Sequence, residues 1–218
     1  GLDAVWLARQ GFRTAACDLS PALVEAAKSH AGSEGVDVDV HLADWRSLSC
    51  TFAPGSFDAV LCTGNSISHL GREAMSDALR EFATLLAPGG ILLVDTHDWP
   101  QVVAAGDRLV LDPEVLRRAG RRCRRSYRWS IAHGAGEPTT CRLAFVLEVS
   151  AGSVTRVTRH EVSFEAFTAS EFLERIRRAG LRVEYCDARG GVDRYTVVAR
   201  RPPAAAAEVP PQATPGNR

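Results

Sequence analysis

Apolar positions along the first hundred residues fall into short runs that switch between two periods. Leu2, Val5 and Trp6, with Arg9, recur at helical spacing, and Gly11 closes that helix. Residues 13–17 follow as a short strand. Ser20 and Pro21 supply an N-cap and a proline at the first helical position, opening a helix to about Ala31. Residues 36–42 alternate Val with Asp and His, a strand with one wet face. A Pro54-Gly55 turn precedes the apolar strand Phe57–Cys62, and a loop runs from Thr63 to Gly71. Residues 73–87 place Met75, Leu79, Phe82 and Leu86 on one helix face, Pro88-Gly89-Gly90 ends that helix, and residues 91–95 form a buried strand. Strand and helix alternating at this pitch predict a parallel sheet with helices on both faces.

The pattern then changes. Residues 123–131, 141–149 and 154–164 read as antiparallel strands, separated by turns at 133–136 and 151–153. They are expected to cover the C-terminal edge of the sheet. Residues 170–179 return to helix, and 181–186 with 194–199 make a closing strand pair. The expected fold is α/β: a Rossmann-like, doubly wound, mostly parallel sheet with a C-terminal antiparallel hairpin and inserted antiparallel strands as a lid. It occupies residues 1–200 as a single domain, with the inserted strands at about 105–165. Its first strand is expected to lie before residue 1. The Pro- and Ala-rich segment 201–218 is expected to be a disordered tail.

Composition narrows the function classes. The 218 residues are 45% hydrophobic, enough for a full core, and carry a formal net charge of zero. The whole molecule therefore has no electrostatic footprint for nucleic acid or membrane. Residues 117–128 hold seven arginines and no acid; with no overall charge, the stretch reads as a solvated helix face or a site for an acidic acceptor. Six cysteines without a C-x-x-C pair read as buried free thiols in a reducing compartment, which points to the cytoplasm. The histidines lack metal-ligand spacing, so no metal is expected. No apolar run reaches membrane-spanning length and no signal peptide is visible.

Candidate chemistry collects at strand ends, where open parallel sheets bind ligands. Gly1 to Asp18 is close to the spacing of about 20 residues that separates a nucleotide loop from its ribose-binding acid. Asp18 therefore fits a ribose clamp. Asp44 fits an acceptor for the exocyclic amine of adenine, with Trp45 as an apolar wall or backbone donor beside the ring. Gly64 permits close backbone approach to a ligand. The loop beyond it carries Asn65, Ser66 and His69, and the end of the strand at 95 is followed by His97 and Trp99. Asp18 as a helix cap, Asp44 as a turn residue, and Trp45, His69, Trp99 and Tyr127 as plain packing are the competing structural readings.

Four stretches, GLDAVWLARQGF leading to CDLSPALVEAA, ADWRSL, FDAVLCTGNSISHL and LLAPGGILLVDTHDW, resemble the class I S-adenosylmethionine-dependent methyltransferases. Through GNSISHL they resemble the glycine/sarcosine N-methyltransferase group within it. The resemblance implies a methyl transfer from S-adenosylmethionine to a small-molecule acceptor, most naturally an amine. Carried over by position, Gly1 is the last glycine of the cofactor loop, Asp18 and Leu19 contact ribose, and Asp44 and Trp45 contact adenine. Thr63 and Gly64 contact the cofactor through backbone. Asn65, with Ser66, touches the acceptor. His97 stands where the family places a carboxylate-binding Arg, and imidazole does not replace a bidentate guanidinium, which puts glycine itself in question. His69 and His97 are candidate proton acceptors, with Trp99 and Tyr127 as candidate pocket walls. A homo-oligomer is compatible with this reading. Two alternatives stay open: a non-catalytic relative that keeps the scaffold, and a nicotinamide-dependent oxidoreductase, which shares the ribose acid.

Overall fold

The computed structural model describes residues 1–112, 115–118, 120–133, 139–188 and 193–203. Helix α1 (Leu2–Arg9) leads into β1 (Ala15–Asp18), α2 (Pro21–Ser33) and β2 (Asp39–Leu42). Ser20 caps α2 as its sequence requires, its hydroxyl accepting from the Leu23 N–H, with Pro21 at the first helical position. A 3₁₀ turn (Trp45–Cys50) connects to β3 (Phe57–Cys62), and a second one (Ser66–His69) to α3 (Arg72–Leu85). Met75, Ala78, Leu79, Phe82 and Leu85 form the buried stripe of α3. Then come β4 (Leu86–His97) and a short helix, α4 (Trp99–Ala104).

The rest is mainly antiparallel: β5 (Arg108–Leu111), β6 (Leu116–Arg118), β7 (Arg121–Ala132), β8 (Thr140–Ala151) and β9 (Val154–Glu165). Helix α5 (Ala169–Arg178) opens on a capping box between Thr168 and Glu171 and carries Arg175, Arg177 and Arg178 in its last turn, both favourable to the helix dipole. Strands β10 (Arg182–Cys186) and β11 (Arg194–Arg200) close the described chain, apart from three residues that follow.

Three sheets result. β1 and β2 pair in parallel; β10, β11, β4 and β3 lie in that order, with β3 parallel and β11 antiparallel to β4; β5, β7, β8 and β9 form the third, with β6 beside β7. The α/β, Rossmann-like character follows the sequence pattern, with the hairpin and inserted strands where expected. Among the described residues no hydrogen bond joins β1 to β3. The two halves meet through side chains instead. The Thr63 hydroxyl donates to the Asp3 carboxylate of α1, and Cys17 and Trp45 pack onto the core that Cys62 enters.

Several boundaries move for local reasons. β4 begins at Leu86, so Pro88-Gly89-Gly90 lies inside a strand rather than ending a helix; the register slips between Phe57 and Ala59, and Gly89 takes a φ of +84°, which is how a bulge absorbs the proline. The arginine stretch forms β6 and β7, so the strand reading of 123–131 holds and the helix-face reading of 117–128 does not; Cys123, Tyr127 and Trp129 alternate at strand spacing. The cysteines are free, but Cys50 is exposed, so the expectation of buried thiols fails there. Most of the predicted turn at 133–136 and nearly all of the tail lie outside the described residues. Among those described, no helix is long and apolar enough to cross a membrane.

Candidate functional site

The C-terminal ends of β1, β3 and β4 carry the predicted residues. Asp18 closes β1 and its Oδ1 accepts the Ser20 N–H at 2.8 Å, so it helps to cap α2 while Oδ2 keeps no partner among the described residues. Asp18 borders a cleft of about 260 Å³ lined also by Gly1, Cys17, Leu23 and Ala27. A Cβ on Gly1 would come within 2.7 Å of the Ala27 Cβ, so glycine there lets α1 press against α2 at the cleft floor. Leu19, beside Asp18, is exposed.

Asp44 caps the first 3₁₀ turn through the Arg46 N–H and also holds the Arg46 guanidinium, at 3.0 Å to Nε and 2.5 Å to Nη2. Those bonds hold its pKa down at about 2. Trp45 is half-buried and edge-on to Phe82 at 6.0 Å. The Cys17 thiol is pushed up by burial.

The loop after β3 is the most constrained part of the site. Gly64 and Asn65 both take left-handed backbone, with φ of 73° and 63°, a conformation that Gly enters freely and Asn tolerates. The Asn65 N–H donates to Asp95 Oδ1 at 2.6 Å. Its side chain is buried, and Oδ1 accepts from the His97 N–H at 3.0 Å, the Ser68 hydroxyl at 2.9 Å and the Thr96 hydroxyl at 3.1 Å. Ser68 in turn accepts from the Trp99 indole at 3.3 Å. Ser66 turns inward, its hydroxyl donating to the Thr63 carbonyl at 2.6 Å.

His97 is half-buried, edge-on to Trp99 at 5.5 Å and to Trp129 at 5.7 Å. Its Nδ1 lies 3.2 Å from the Asp193 carbonyl. A carbonyl only accepts, so the neutral ring carries its proton on Nδ1 and offers the Nε2 lone pair. Burial is the main cause that lowers its pKa below the ordinary 6.5. His69 is lowered for the same reason and packs on Phe164 at 5.1 Å.

Two wall residues need correction. Trp99 is fully buried and acts as a floor beneath His97, not as a pocket lining. Tyr127 faces Phe145 at 5.4 Å; it is Trp129, two residues on, that reaches His97. The strand period contained that distinction, but which turn of it meets the site depends on how the third sheet docks. Arg194, opposite His97 across β4 and β11, and Arg108, over the Trp129 ring at 5.4 Å, were not anticipated. Nothing in their sequence context separates them from the other arginines.

This arrangement invites comparison with known proteins. Residues 1–90 match the family described as a methyltransferase domain. Over 107 residues, 49% of this chain and 38% of the relative, the chain is 33% identical to the glycine/sarcosine N-methyltransferase of Parasynechococcus marenigrum. Over these residues the chain is similar to S-adenosylmethionine-dependent methyltransferases. A methyltransferase likeness of another kind, the ubiquinone biosynthesis O-methyltransferase of Xanthomonas euvesicatoria, is 36% identical over 96 residues, 44% of this chain and 38% of that protein. The chain thus spans well under half the length of the curated methyltransferases it matches. The solved structure of Streptomyces venezuelae DesVI superposes with a TM-score of 0.69 at 26% identity, covering 88% of this chain and 74% of that one. The methyltransferase cofactor, S-adenosylmethionine, suits what the residues offer at its sugar end, since Asp18 presents an unpartnered carboxylate oxygen to a cleft. At the adenine end, Asp44 is already engaged by Arg46.

Proposed function

We propose that the protein transfers a methyl group to the nitrogen of a small-molecule amine. S-adenosylmethionine supplies an activated methyl on a sulfonium, so the protein's work is placement and proton removal. Asp18 would hold the ribose hydroxyls through Oδ2, with Leu19 beside it and Gly1 allowing the close packing below. Asp44 would take the adenine amine once Arg46 swings outward, which its exposed position permits, and Trp45 would wall the ring. The backbone of Thr63 and Gly64 would line the cofactor's far side. Asn65 and Ser66 would meet the acceptor, and positioning of this kind can supply roughly 7–11 kcal/mol of a barrier.

The observation that carries the reading is His97. A neutral imidazole with its Nδ1 proton fixed on Asp193 and Nε2 open suits taking the proton that an amine sheds around its attack. The likeness to the glycine/sarcosine enzyme supports nitrogen as the nucleophile. Oxygen is the second reading, favoured by the O-methyltransferase relative. The test uses the full-length protein with methyl-labelled S-adenosylmethionine, a panel of amines and a panel of phenols, with products located by mass spectrometry. N-methyl products are expected. Label found on phenol oxygen alone would turn the assignment to O-methylation.

A further inference from the structure

We propose that the acceptor is an uncharged amine bearing an oxygen beside its reacting nitrogen, as in amino alcohols and amino sugars, and that Asn65 reads that oxygen; this rests on the N-methylation reading. The orientation of the Asn65 amide is fixed by a donor that cannot accept. The His97 backbone N–H points at one side-chain atom from 3.0 Å, so that atom is the oxygen. The Ser68 hydroxyl, which already receives the Trp99 indole N–H, donates to the same oxygen. Both lone pairs of Oδ1 are thereby spent. What remains is Nδ2, which carries two N–H donors, has no partner among the described residues, and is not sealed from solvent. A group that only donates fits a lone pair on a ligand. The amine's own lone pair must face the methyl, so the matching lone pair belongs to a neighbouring oxygen.

The charged groups nearby argue against an amino acid. Arg194 lies 3.9 Å from Asp95 Oδ2, and Arg108 spends Nη1 on the carbonyls of Val102 and Gly106. Both guanidinium groups thus have oxygen partners already, so a substrate carboxylate would have to compete for either. Asp95 is likewise held, by the Asn65 N–H and by Arg194, so it is a poor counter-ion for an ammonium. His69 and His97, both kept neutral by burial, add no charge. A hydroxylated neutral amine fits the Nδ2 donors and brings no charge to the Asp95–Arg194 pair.

The test separates lone-pair reading from other effects with a matched set: 2-aminoethanol, D-glucosamine, 2-methoxyethylamine, n-butylamine, glycine and sarcosine, each offered to the full-length protein with labelled S-adenosylmethionine. The methoxy amine keeps the oxygen lone pairs and lacks an O–H; n-butylamine has the same shape with neither. We expect kcat/KM for 2-methoxyethylamine to exceed that for n-butylamine by about tenfold or more, with 2-aminoethanol and D-glucosamine ahead of glycine and sarcosine. In Asn65→Asp, which keeps an oxygen for Ser68, Thr96 and His97 and tolerates the left-handed backbone, the ratio of methoxy amine to n-butylamine should fall to about one. Should that variant not fold, the wild-type ratio decides alone. Equal rates for the two matched amines, or glycine or sarcosine turned over faster than 2-aminoethanol, overturn the inference while leaving N-methylation standing. Absence of transfer to every amine, with cofactor still bound by calorimetry, overturns both.

Discussion

On the proposed reading Asp18 has two tasks for its two oxygens, and they can be separated. Asp18→Asn keeps an oxygen for the Ser20 N–H and replaces the other by a donor. The melting temperature should barely move while S-adenosylmethionine affinity, read by calorimetry, falls about tenfold or more, the scale of a lost charge-assisted hydrogen bond. A melting temperature that collapses, with affinity kept, would make Asp18 a cap only. The histidines give a pH prediction of definite sign. Burial places the His97 and His69 pKa values below the ordinary 6.5. Above that pH both states are neutral and the histidines contribute nothing to pH dependence. As pH falls through 6.5 the unfolded chain binds protons first, so stability drops, and the loss levels off once the folded pKa is passed. Melting curves between about pH 7.5 and 5 should show this decline, and it should be smaller in His97→Gln. Asn65 marks the limit of reading residues singly. Its presence in GNSISHL points to the acceptor, but which end of its amide faces outward was settled by Ser68, Thr96 and the His97 backbone, two of which lie some thirty residues away.

At the level of elements, the β3–β4 pairing depends on a close backbone approach, and the junction with the third sheet on one indole. A Cβ on Gly90 would come within 2.9 Å of the Ala87 carbonyl and 3.0 Å of the Asp58 carbonyl. Both are backbone atoms that cannot rotate away, so Gly90→Ala should cost about 1–3 kcal/mol in urea unfolding. Trp129 joins the third sheet to β4 through His97 and to α4 through Trp99. Trp129→Ala should cost about 3–5 kcal/mol and should also raise KM for the acceptor, because the ring that holds His97 is gone. The elements themselves were readable where one local signal dominated: the Ser20-Pro21 cap, the apolar stripe of α3, the strand alternation of β8 and β9. They were misread where two signals competed. Pro88-Gly89-Gly90 looks like a helix stop and a turn, yet Leu86 and Ile91 on either side pair with β3, and the Gly89 and Gly90 backbone exchanges hydrogen bonds with Arg201. The arginines at 117–128 suit either element by propensity, and pairing of β7 with β8 along its length decides for the strand.

For the whole molecule, the proposed cofactor contacts lie on two sheets without a shared ladder: Asp18 on β1, Thr63 and Gly64 after β3. Side-chain links such as Thr63 to Asp3 join them among the described residues. S-adenosylhomocysteine should slow exchange at residues 15–18 and 63–66 together, because a ligand that grips both sheets stabilises only the arrangement in which they face each other. Protection confined to one of the two segments would place the ligand elsewhere.

The order of elements, the acidic residue at the end of β1 and the loop at 63–70 followed from the sequence alone, because periodicity, caps and strand-end polarity are local properties of the chain. Tertiary structure alone decided that Trp129 rather than Tyr127 meets His97, and that the Asn65 side-chain oxygen turns to the Ser68, Thr96 and His97 donors. Each of these depends on atoms far apart in sequence, whose meeting is fixed by packing and hydrogen-bond saturation, not by any residue's own preference.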